Sequence, residues 1–342
     1  MKKNRYLIYL IFLFGCGSSI QDNTEVNQFF VSSERMNLSD NLTRVKSIYL
    51  FDNLLIVSDP SAQNLYKIFD IRQDKFIKEL GKKGNGPCEL SFPSPIIKVD
   101  DINLSFFNKN TFQILDFPVE YLLSPTDFDY PCNYRDFKLD FNFQKIVDLG
   151  GGRILGYGLF TSKYVVFDQN KREIFPSDVK YHFEEELIGL HSYENIAMAS
   201  QGNLHKRPDG KKIVFTSSNF GALDILSMEG SVPKLDFRKE MTKPIFTSQE
   251  GNVIRADYNK ENVLGFLSTA VSNQYIYGLY SGEKMGDNID DSQTVIVFDW
   301  DGKKVKEIYL DKAVSLIVVS HDDSLLFGYS DDGKANVYKF IL

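Results

Sequence analysis

The chain has 342 residues, of which 43% are hydrophobic and 25% charged, as in ordinary globular proteins, and its 28 Phe and 18 Tyr make it rich in aromatic side chains. A net charge of −7 argues against a general nucleic-acid binder, because such proteins need a basic surface that displaces counterions from phosphates. The same charge opposes adsorption to an anionic bilayer, so we expect any membrane attachment to come from a covalent lipid.

The N-terminus has the parts of a lipoprotein signal. Cationic residues among the first five precede an apolar run over 6–14, which is too short to span a bilayer because a spanning helix needs about 20 apolar residues. Residues 13–16 (LFGC) resemble the lipobox of bacterial lipoproteins, in which the cysteine is acylated and becomes the new N-terminus. We therefore predict a signal peptide over 1–15, lipid attachment at Cys16 and a flexible polar tether over 16–26. The alternative is an ordinary secretory signal with an incidental cysteine.

From residue 45 onward, short apolar or aromatic runs alternate with clusters of Gly, Asp, Asn and Pro, and long stretches of helical periodicity are scarce. Asp301-Gly302 and Asp332-Gly333 predict tight turns, because glycine accepts the positive φ that such turns require. The pattern predicts strands, in chain order, over 45–51, 53–58, 65–71, 75–80, 103–107, 111–117, 153–158, 164–168, 212–217, 222–228, 274–281, 293–300, 303–310, 314–319, 323–329 and 334–341.

Three of these strands end in Phe-Asp, at 69–70, 167–168 and 298–299, within a unit that recurs about every 50 residues. We therefore predict an all-β fold over residues 27–342, a single domain that forms a six-bladed β-propeller of four-stranded antiparallel blades. The last unit ends after its third predicted strand, so we expect the N-terminal segment 27–31 to supply the fourth and close the ring. A pair of β-sandwiches is the alternative.

Besides Cys16, the chain contains Cys88 and Cys132. An exported protein could oxidise them to one disulfide. The sequence does not tell whether they come within bridging distance, and the alternative is two separate small buried side chains.

Three segments resemble the TolB-like six-bladed propeller lipoproteins of Bacteroidota, which are similar to NHL-type propellers. Residues 81–90 (GKKGNGPCEL), followed by Phe92, are similar to a G-x-G-P-x-E segment of that family, and 207–212 (RPDGKK) and 297–302 (VFDWDG) resemble its hairpins. The resemblance covers nearly all of 27–342. It implies an exported and anchored propeller, and it implies no catalytic residue.

Motifs for metal, cofactor or nucleophilic chemistry are weak. The glycines within 81–86 are not followed by Lys-Ser/Thr and a helix, so we interpret them as a connection between blades and not as a phosphate loop. The acidic run 287–291 lacks the ligand spacing of an EF-hand loop and is interpreted as a solvated loop. The four histidines form no H-E-x-x-H pair and there is no Gly-x-Ser-x-Gly elbow, so we predict no metal and no cofactor.

Loops on one face of a propeller surround its central channel and often bind ligands. The longest connections without strand periodicity are 118–134, which also contains Tyr134, and 176–211. Tyr and Arg are favoured at protein interfaces. We therefore select as candidate ligand or partner residues Tyr121, Tyr130, His205, Lys206 and Arg207.

Together these observations predict a lipid-anchored, non-enzymatic binding or interaction module of the bacterial cell envelope. Gly17 follows Cys16 where an inner-membrane lipoprotein often has Asp, which favours the outer membrane, on its periplasmic or its outer side. The expected partners are the membrane, through the lipid, and a protein or small molecule, but no nucleic acid. The alternatives are a propeller lyase or hydrolase with carboxylate and Arg side chains at the channel mouth, and a structural subunit of an envelope complex.

Overall fold

Strands form most of the regular structure in the computed structural model, which describes residues 27–342 except 39–41, 87, 100–101, 124–132, 137–142, 188–191, 246, 249–253, 256–259, 286–289 and 332. Two short strands come first, β1 (Asn27–Val31) and β2 (Ser33–Arg35). The chain then forms antiparallel sheets of four consecutive strands, which are the blades of a propeller.

Blade 1 consists of β3 (Ser47–Phe51), β4 (Leu54–Ser58), β5 (Asn64–Asp70) and β6 (Lys75–Lys82). Blade 2 consists of β7 (Ile96–Val99), β8 (Asn103–Asn108), β9 (Gln113–Pro118) and β10 (Asn133–Asp136), with α1 (Glu120–Leu123) before its last strand. Blade 3 consists of β11 (Phe143–Gly150), β12 (Arg153–Gly158), β13 (Val165–Asp168) and β14 (Glu173–Pro176).

Two helices, α2 (Glu184–Leu187) and α3 (Tyr193–Ala199), lead to blade 4, which consists of β15 (Gly202–Lys206), β16 (Lys212–Ser217), β17 (Ala222–Glu229) and β18 (Val232–Glu240). A small hairpin follows, β19 (Thr247–Ser248) and β20 (Ile254–Arg255). Blade 5 consists of β21 (Phe266–Val271), β22 (Tyr275–Tyr280), β23 (Ser292–Asp299) and β24 (Lys304–Val314). Blade 6 contains β25 (Leu316–Val319), β26 (Leu325–Asp331) and β27 (Ala335–Ile341). No helix in the described ranges is long and apolar enough to cross a membrane.

The first strands of neighbouring blades lie side by side and surround the central channel in the order β7, β11, β15, β21, β25, β3. Because consecutive strands are antiparallel, the turns after the first and third strands of each blade lie on one face of the ring, which we name the far face. The turns after the second strands and the connections between blades lie on the other, which we name the mouth face.

Each pair of neighbouring blades shares one layer of buried apolar side chains. Both faces of a blade are covered in this way, and therefore second strands such as β4 and β16 are buried almost from end to end. The six layers join, for example, Ile56 to Phe106, Phe107 to Phe167, Tyr157 to Phe215, Ile225 to Phe298, Val297 to Phe340, and Phe327 to Val57. The last of these layers closes the ring, which confirms the predicted six-bladed propeller.

The N-terminal segment closes the last blade, as predicted, but with different residues. The fourth strand of blade 6 is β2, which pairs antiparallel with β27, and not the predicted segment 27–31. That segment is β1, which pairs in parallel with β24 and gives blade 5 a fifth strand. The short polar β2 takes the fourth position through backbone pairing, and the aromatic β1 lies beside β24 instead.

The recurring Phe-Asp ends of the third strands are explained by the turns that follow them. Asp70 Oδ1 accepts the backbone N–H of Arg72 at 2.8 Å, and Asp168 Oδ1 accepts that of Asn170 at 3.0 Å. Asp299 Oδ1 accepts two backbone N–H groups, at 3.0 and 2.9 Å. A short carboxylate at this position thus satisfies turn donors that the strands leave unpaired.

The glycine-rich segment that follows β6 is the connection from blade 1 to blade 2, as interpreted from the sequence. Glu89 turns back into it, accepts the N–H of Gly86 at 2.8 Å and pairs with Lys82 at 2.7 Å. A Cβ at Gly84 would lie 1.9 Å from Glu89 Oε2, so a larger residue there would displace the Glu89 carboxylate. The loop therefore holds its own carboxylate where a phosphate loop would hold a ligand.

Cys88, in the same connection, is disulfide-bonded. Cys132, the partner considered from the sequence, lies outside the described residues.

We predict that Asp299→Ala lowers the free energy of unfolding by about 1–2 kcal/mol, because two turn N–H groups lose their acceptor. Chemical denaturation followed by circular dichroism measures this loss. Asp301→Ala is the control in the same turn, because the Asp301 side chain is 89% exposed and its ion pair with Lys212 contributes little. Equal losses in the two variants would contradict the assigned role of Asp299.

Candidate functional site

Three lysines from successive blades converge at the channel opening on the mouth face. Lys46 directly precedes the first strand of blade 1, Lys109 lies in the turn after the second strand of blade 2, and Lys145 lies on the first strand of blade 3. All three side chains are accessible to solvent at the opening, although neighbouring protein atoms crowd those of Lys109 and Lys145. The Lys109 ammonium donates a hydrogen bond to Gln144 Oε1 at 2.7 Å, next to Lys145 in the chain. We name Lys46, Lys109 and Lys145 the lysine mouth.

The charges of the lysine mouth repel one another. The pKa of Lys145 is lowered, first by its enclosure among the surrounding strands and then by the positive charges of Lys46 and Lys109. Enclosure also lowers the pKa of Lys109. A bound anion would relieve this repulsion, since an opposite charge within a few ångströms favours the charged form of an amine.

His205 lies on β15, the first strand next to β11 in the ring. Burial and then the charge of Lys145 lower the pKa of His205 to about 4. Its imidazole is therefore neutral at neutral pH and offers one hydrogen-bond donor and one acceptor beside the lysine mouth.

A second cluster of ionisable groups is buried between blades 3 and 4, around Asp224. The Arg238 guanidinium binds both carboxylate oxygens, Nε to Oδ1 at 2.7 Å and Nη2 to Oδ2 at 2.9 Å. Lys163 Nζ and the Tyr164 hydroxyl donate to Oδ2 at 2.6 and 2.7 Å. Lys163 Nζ also lies 2.8 Å from His182 Nδ1, whereas His182 Nε2 is 3.1 Å from Oδ1 without the alignment of a hydrogen bond.

Burial alone would raise the pKa of Asp224, but the Lys163 charge and the hydrogen bonds of its neighbours hold it well below the ordinary value. Burial lowers the pKa of Lys163 to about 7, although Asp224 opposes this, so the lysine is the weaker of the two cationic partners. Arg238 keeps its charge at every accessible pH, and its two-point contact therefore fixes the ionised state of Asp224. The cluster links the blades. It offers no open site, because Asp224, Lys163 and His182 are fully enclosed.

A cavity of about 290 Å³ opens beside Arg238 and is lined also by Tyr181, Glu184 and Glu240. Its volume is at the lower end for a small-molecule site and its walls are polar, whereas such sites are mostly apolar. Glu184 is already used, as its carboxylate accepts the N–H of Tyr181 at 2.7 Å. The cavity is therefore a weaker candidate than the channel opening.

The structure corrects the placement of the predicted residues on blade 4. His205 and Lys206 are on β15 and not in a loop, because the connection 176–211 contains two helices and this strand. The Lys206 ammonium donates to the carbonyl of Asp148 in blade 3. Arg207 starts the far-face turn, lies 5.6 Å from the Trp300 ring and pairs with Asp209 at 3.4 Å. Only His205 of this group faces the channel region with the lysines.

Tyr121 lies on α1, where Lys78 of blade 1 contacts its ring at 4.0 Å and donates to its carbonyl. It therefore joins blade 2 to blade 1, and it is not brought together with the blade 4 residues. Tyr134 is on the outermost strand of blade 2 and is 57% exposed. Tyr130 and Cys16 lie outside the described residues.

Among the described residues, no group of three or more His, Cys, Asp or Glu side chains could hold a metal ion. Part of the acidic run considered from the sequence, residues 287–289, lies outside them.

Sequence reasoning missed both clusters. Asp224 did give a signal, since it is a charged residue within the apolar strand 222–228, and such a residue must find partners when it is buried. The lysine mouth gave none, because its members are far apart in the chain and only the packing of blades 1 to 3 brings them to one opening.

We predict that Asp224→Asn lowers the free energy of unfolding by about 3–5 kcal/mol near neutral pH, because Lys163 and Arg238 lose their buried counter-charge. The folded protein keeps Asp224 ionised below the pH of about 4 at which the unfolded chain takes up a proton there. The stabilisation is therefore complete above that pH and is lost as the pH falls further, so the deficit of the variant should shrink in acid.

Urea unfolding at a series of pH values tests this. Asp236→Asn is the matched control, since Asp236 is a partly exposed carboxylate in the same blade that accepts a hydrogen bond from Ser227 at 2.8 Å. We expect the control to lose less than about 1 kcal/mol. A pH-independent deficit for Asp224→Asn would contradict the assigned ionisation.

Known proteins provide a comparison with this geometry. The TolB-like six-bladed propeller family matches residues 44–322. No curated protein sequence matches the chain significantly. The chain is similar in structure to a protein of Bacteroides fragilis NCTC 9343 whose name describes it as exported. The TM-score is 0.56 and the sequence identity 13%, over 92% of this chain and 98% of that protein. A DUF4221 family member of Bacteroides vulgatus ATCC 8482 is similar with a TM-score of 0.53 and 12% identity over 91% and 96%.

At these identities the solved structures support the fold alone, and the family match carries the assignment. The match covers residues 44–322 and confirms the resemblance of the sequence to TolB-like propellers. The chain belongs to the TolB-like six-bladed propeller family.

Proposed function

We propose that the protein is an exported lipoprotein of the outer membrane whose propeller binds an anionic small molecule, carboxylated or phosphorylated, at the lysine mouth. The observation that carries this proposal is the convergence of Lys46, Lys109 and Lys145 from three blades on one opening. The charges of Lys46 and Lys109 lower the pKa of Lys145, so their proximity is unfavourable without a bound anion, and such perturbed groups cluster at functional sites.

The scaffold is suited to such a site. Lys145 and His205 lie on first strands, which the apolar layers hold on both sides, so binding requires little ordering of the backbone. Because the pKa of His205 is lowered to about 4, its imidazole is neutral near neutral pH and adds a hydrogen-bond donor there. The lysines would provide charge-assisted hydrogen bonds, and the imidazole would provide one directed donor. A carboxylate or phosphate group can accept both.

The enzymatic alternative receives less support. A lyase or hydrolase was expected to use carboxylate and Arg side chains at the channel mouth. Asp116, Asp148 and Asp224 pair with Arg and are largely buried in ion pairs between strands or blades, and Asp209 pairs with Arg207 in a far-face turn, away from the lysine mouth. They serve packing, and we therefore propose binding without catalysis.

Export and anchoring rest on the N-terminal signal, with a small residue before Cys16 and a polar tether after it. The expected export of the similar Bacteroides fragilis protein agrees with this proposal. Gly17 favours the outer membrane.

We predict that Lys145→Gln weakens binding of inorganic pyrophosphate by about tenfold or more, because one charge-assisted contact is lost. Isothermal titration at low ionic strength measures this, and the affinity of the native protein should fall as salt is added. The same substitution should leave the melting temperature of the empty protein unchanged or higher, since it removes repulsion.

Lys303→Gln is the matched control, because Lys303 is an exposed lysine in a far-face turn. Citrate serves as a second probe with carboxylate groups. If the native protein binds neither probe, or if Lys303→Gln weakens binding as much as Lys145→Gln, the proposed site is wrong.

We predict that Cys16→Ser abolishes acylation, because the lipid is attached to the cysteine sulfur and the new N-terminus. Mass spectrometry of the protein purified from membranes reads the modification directly. Cys88→Ser should keep it. Native protein that lacks the lipid would contradict the anchor without affecting the anion site.

A further inference from the structure

The outer edge of blade 5 carries exposed aromatic side chains. Phe30 on β1 is 81% exposed, and its ring stacks on Tyr309 with centroids 5.1 Å apart. Phe29 is 47% exposed, and the Lys306 ammonium lies 5.9 Å from its ring centroid. We name Phe29, Phe30 and Tyr309 the aromatic rim. Its residues lie on β1, the outermost strand of the sheet, and on β24 beside it.

The aromatic rim is the part of the described propeller that follows directly on the proposed tether. Residues 17–26 separate Asn27 from Cys16 and reach at most about 35 Å when fully extended. That reach is less than twice the radius of gyration of about 20 Å expected for a domain of this size. An acylated Cys16 would therefore hold β1 beside the bilayer.

The register of β1 also sets the side on which the tether leaves. Asn27 pairs with Lys306 and Val31 with Leu310, so β1 runs parallel to β24. β24 starts at the turn after Asp299, which is on the far face. The tether therefore leaves the edge of blade 5 from its far-face end, away from the lysine mouth.

We propose that the aromatic rim contacts the bilayer surface and that the lysine mouth is held facing away from the membrane. This inference rests on the proposed lipid anchor. Phe side chains can insert at the boundary between headgroups and acyl chains, where Tyr is enriched, and Lys306, whose ammonium lies 5.9 Å from the Phe29 ring centroid, adds a cation for the headgroup phosphates. The occupant is a lipid surface and not a second copy, because the tether brings lipid to this edge at a high local concentration.

The test uses the full mature protein, acylated at Cys16 and reconstituted in phosphatidylcholine vesicles that contain brominated lipid. Phe30→Trp places a fluorophore on the rim, and the single native tryptophan, Trp300, is buried and gives a constant background. We expect the brominated lipid to quench most of the emission added at position 30.

Phe92→Trp is the matched control. Phe92 is 49% exposed and lies on the mouth face, in the connection between blades 1 and 2. Emission added at position 92 should resist quenching.

Three outcomes would overturn the inference. Equal quenching at both positions would contradict the orientation, and unquenched emission at position 30 in acylated protein would contradict the contact. In the latter case a dimer in size-exclusion chromatography would identify a second copy as the occupant. Mass spectrometry of the same sample separates these results from failure of the anchor, since protein without lipid on Cys16 would overturn the proposed anchor and this inference with it.

Discussion

Every blade of this propeller must bury both of its faces against its neighbours, and the six apolar layers between blades satisfy that constraint. Burial of apolar surface contributes about 25 cal/mol per Å², so large aromatic residues such as Phe106 and Phe215 contribute most to each layer. The constraint explains why second strands are apolar on both sides. It also confines chemistry to the first strands, the turns and the connections.

Charged side chains inside the layers must be fully paired. Asp224 illustrates this between blades 3 and 4, where Arg238, Lys163 and Tyr164 satisfy its oxygens. Between blades 2 and 3, Arg135 joins Asp116 at 2.9 Å to Asp148 at 3.3 Å. Such buried ion pairs often add no more stability than apolar contacts of the same size. Removal of one partner nevertheless lowers the free energy of unfolding strongly, because the other charge stays buried without a partner. At the channel opening the situation is reversed, because the lysine mouth brings together charges of the same sign.

The repeat pattern predicted the six-bladed propeller, but the sequence did not predict which side chains from different blades meet. Many strand positions followed from apolar runs, and the Phe-Asp ends indicated a repeating unit whose turns the structure explains through carboxylate hydrogen bonds. Segment 27–31 was predicted to close the ring, but the shorter strand β2 does so. Phe30 of β1 is exposed instead. His205 and Lys206 were placed in a loop because β15 is short and follows two helices. The predicted strands did not include β11, and therefore Lys145 could not be placed at the channel from sequence.

The proposed anion site at the lysine mouth is the central claim, and crystals grown with tungstate test it most directly through anomalous scattering. We predict a strong peak within hydrogen-bonding distance of at least two of the ammonium groups of Lys46, Lys109 and Lys145. Tungstate bound only elsewhere, or an empty opening at saturating tungstate, would contradict the account.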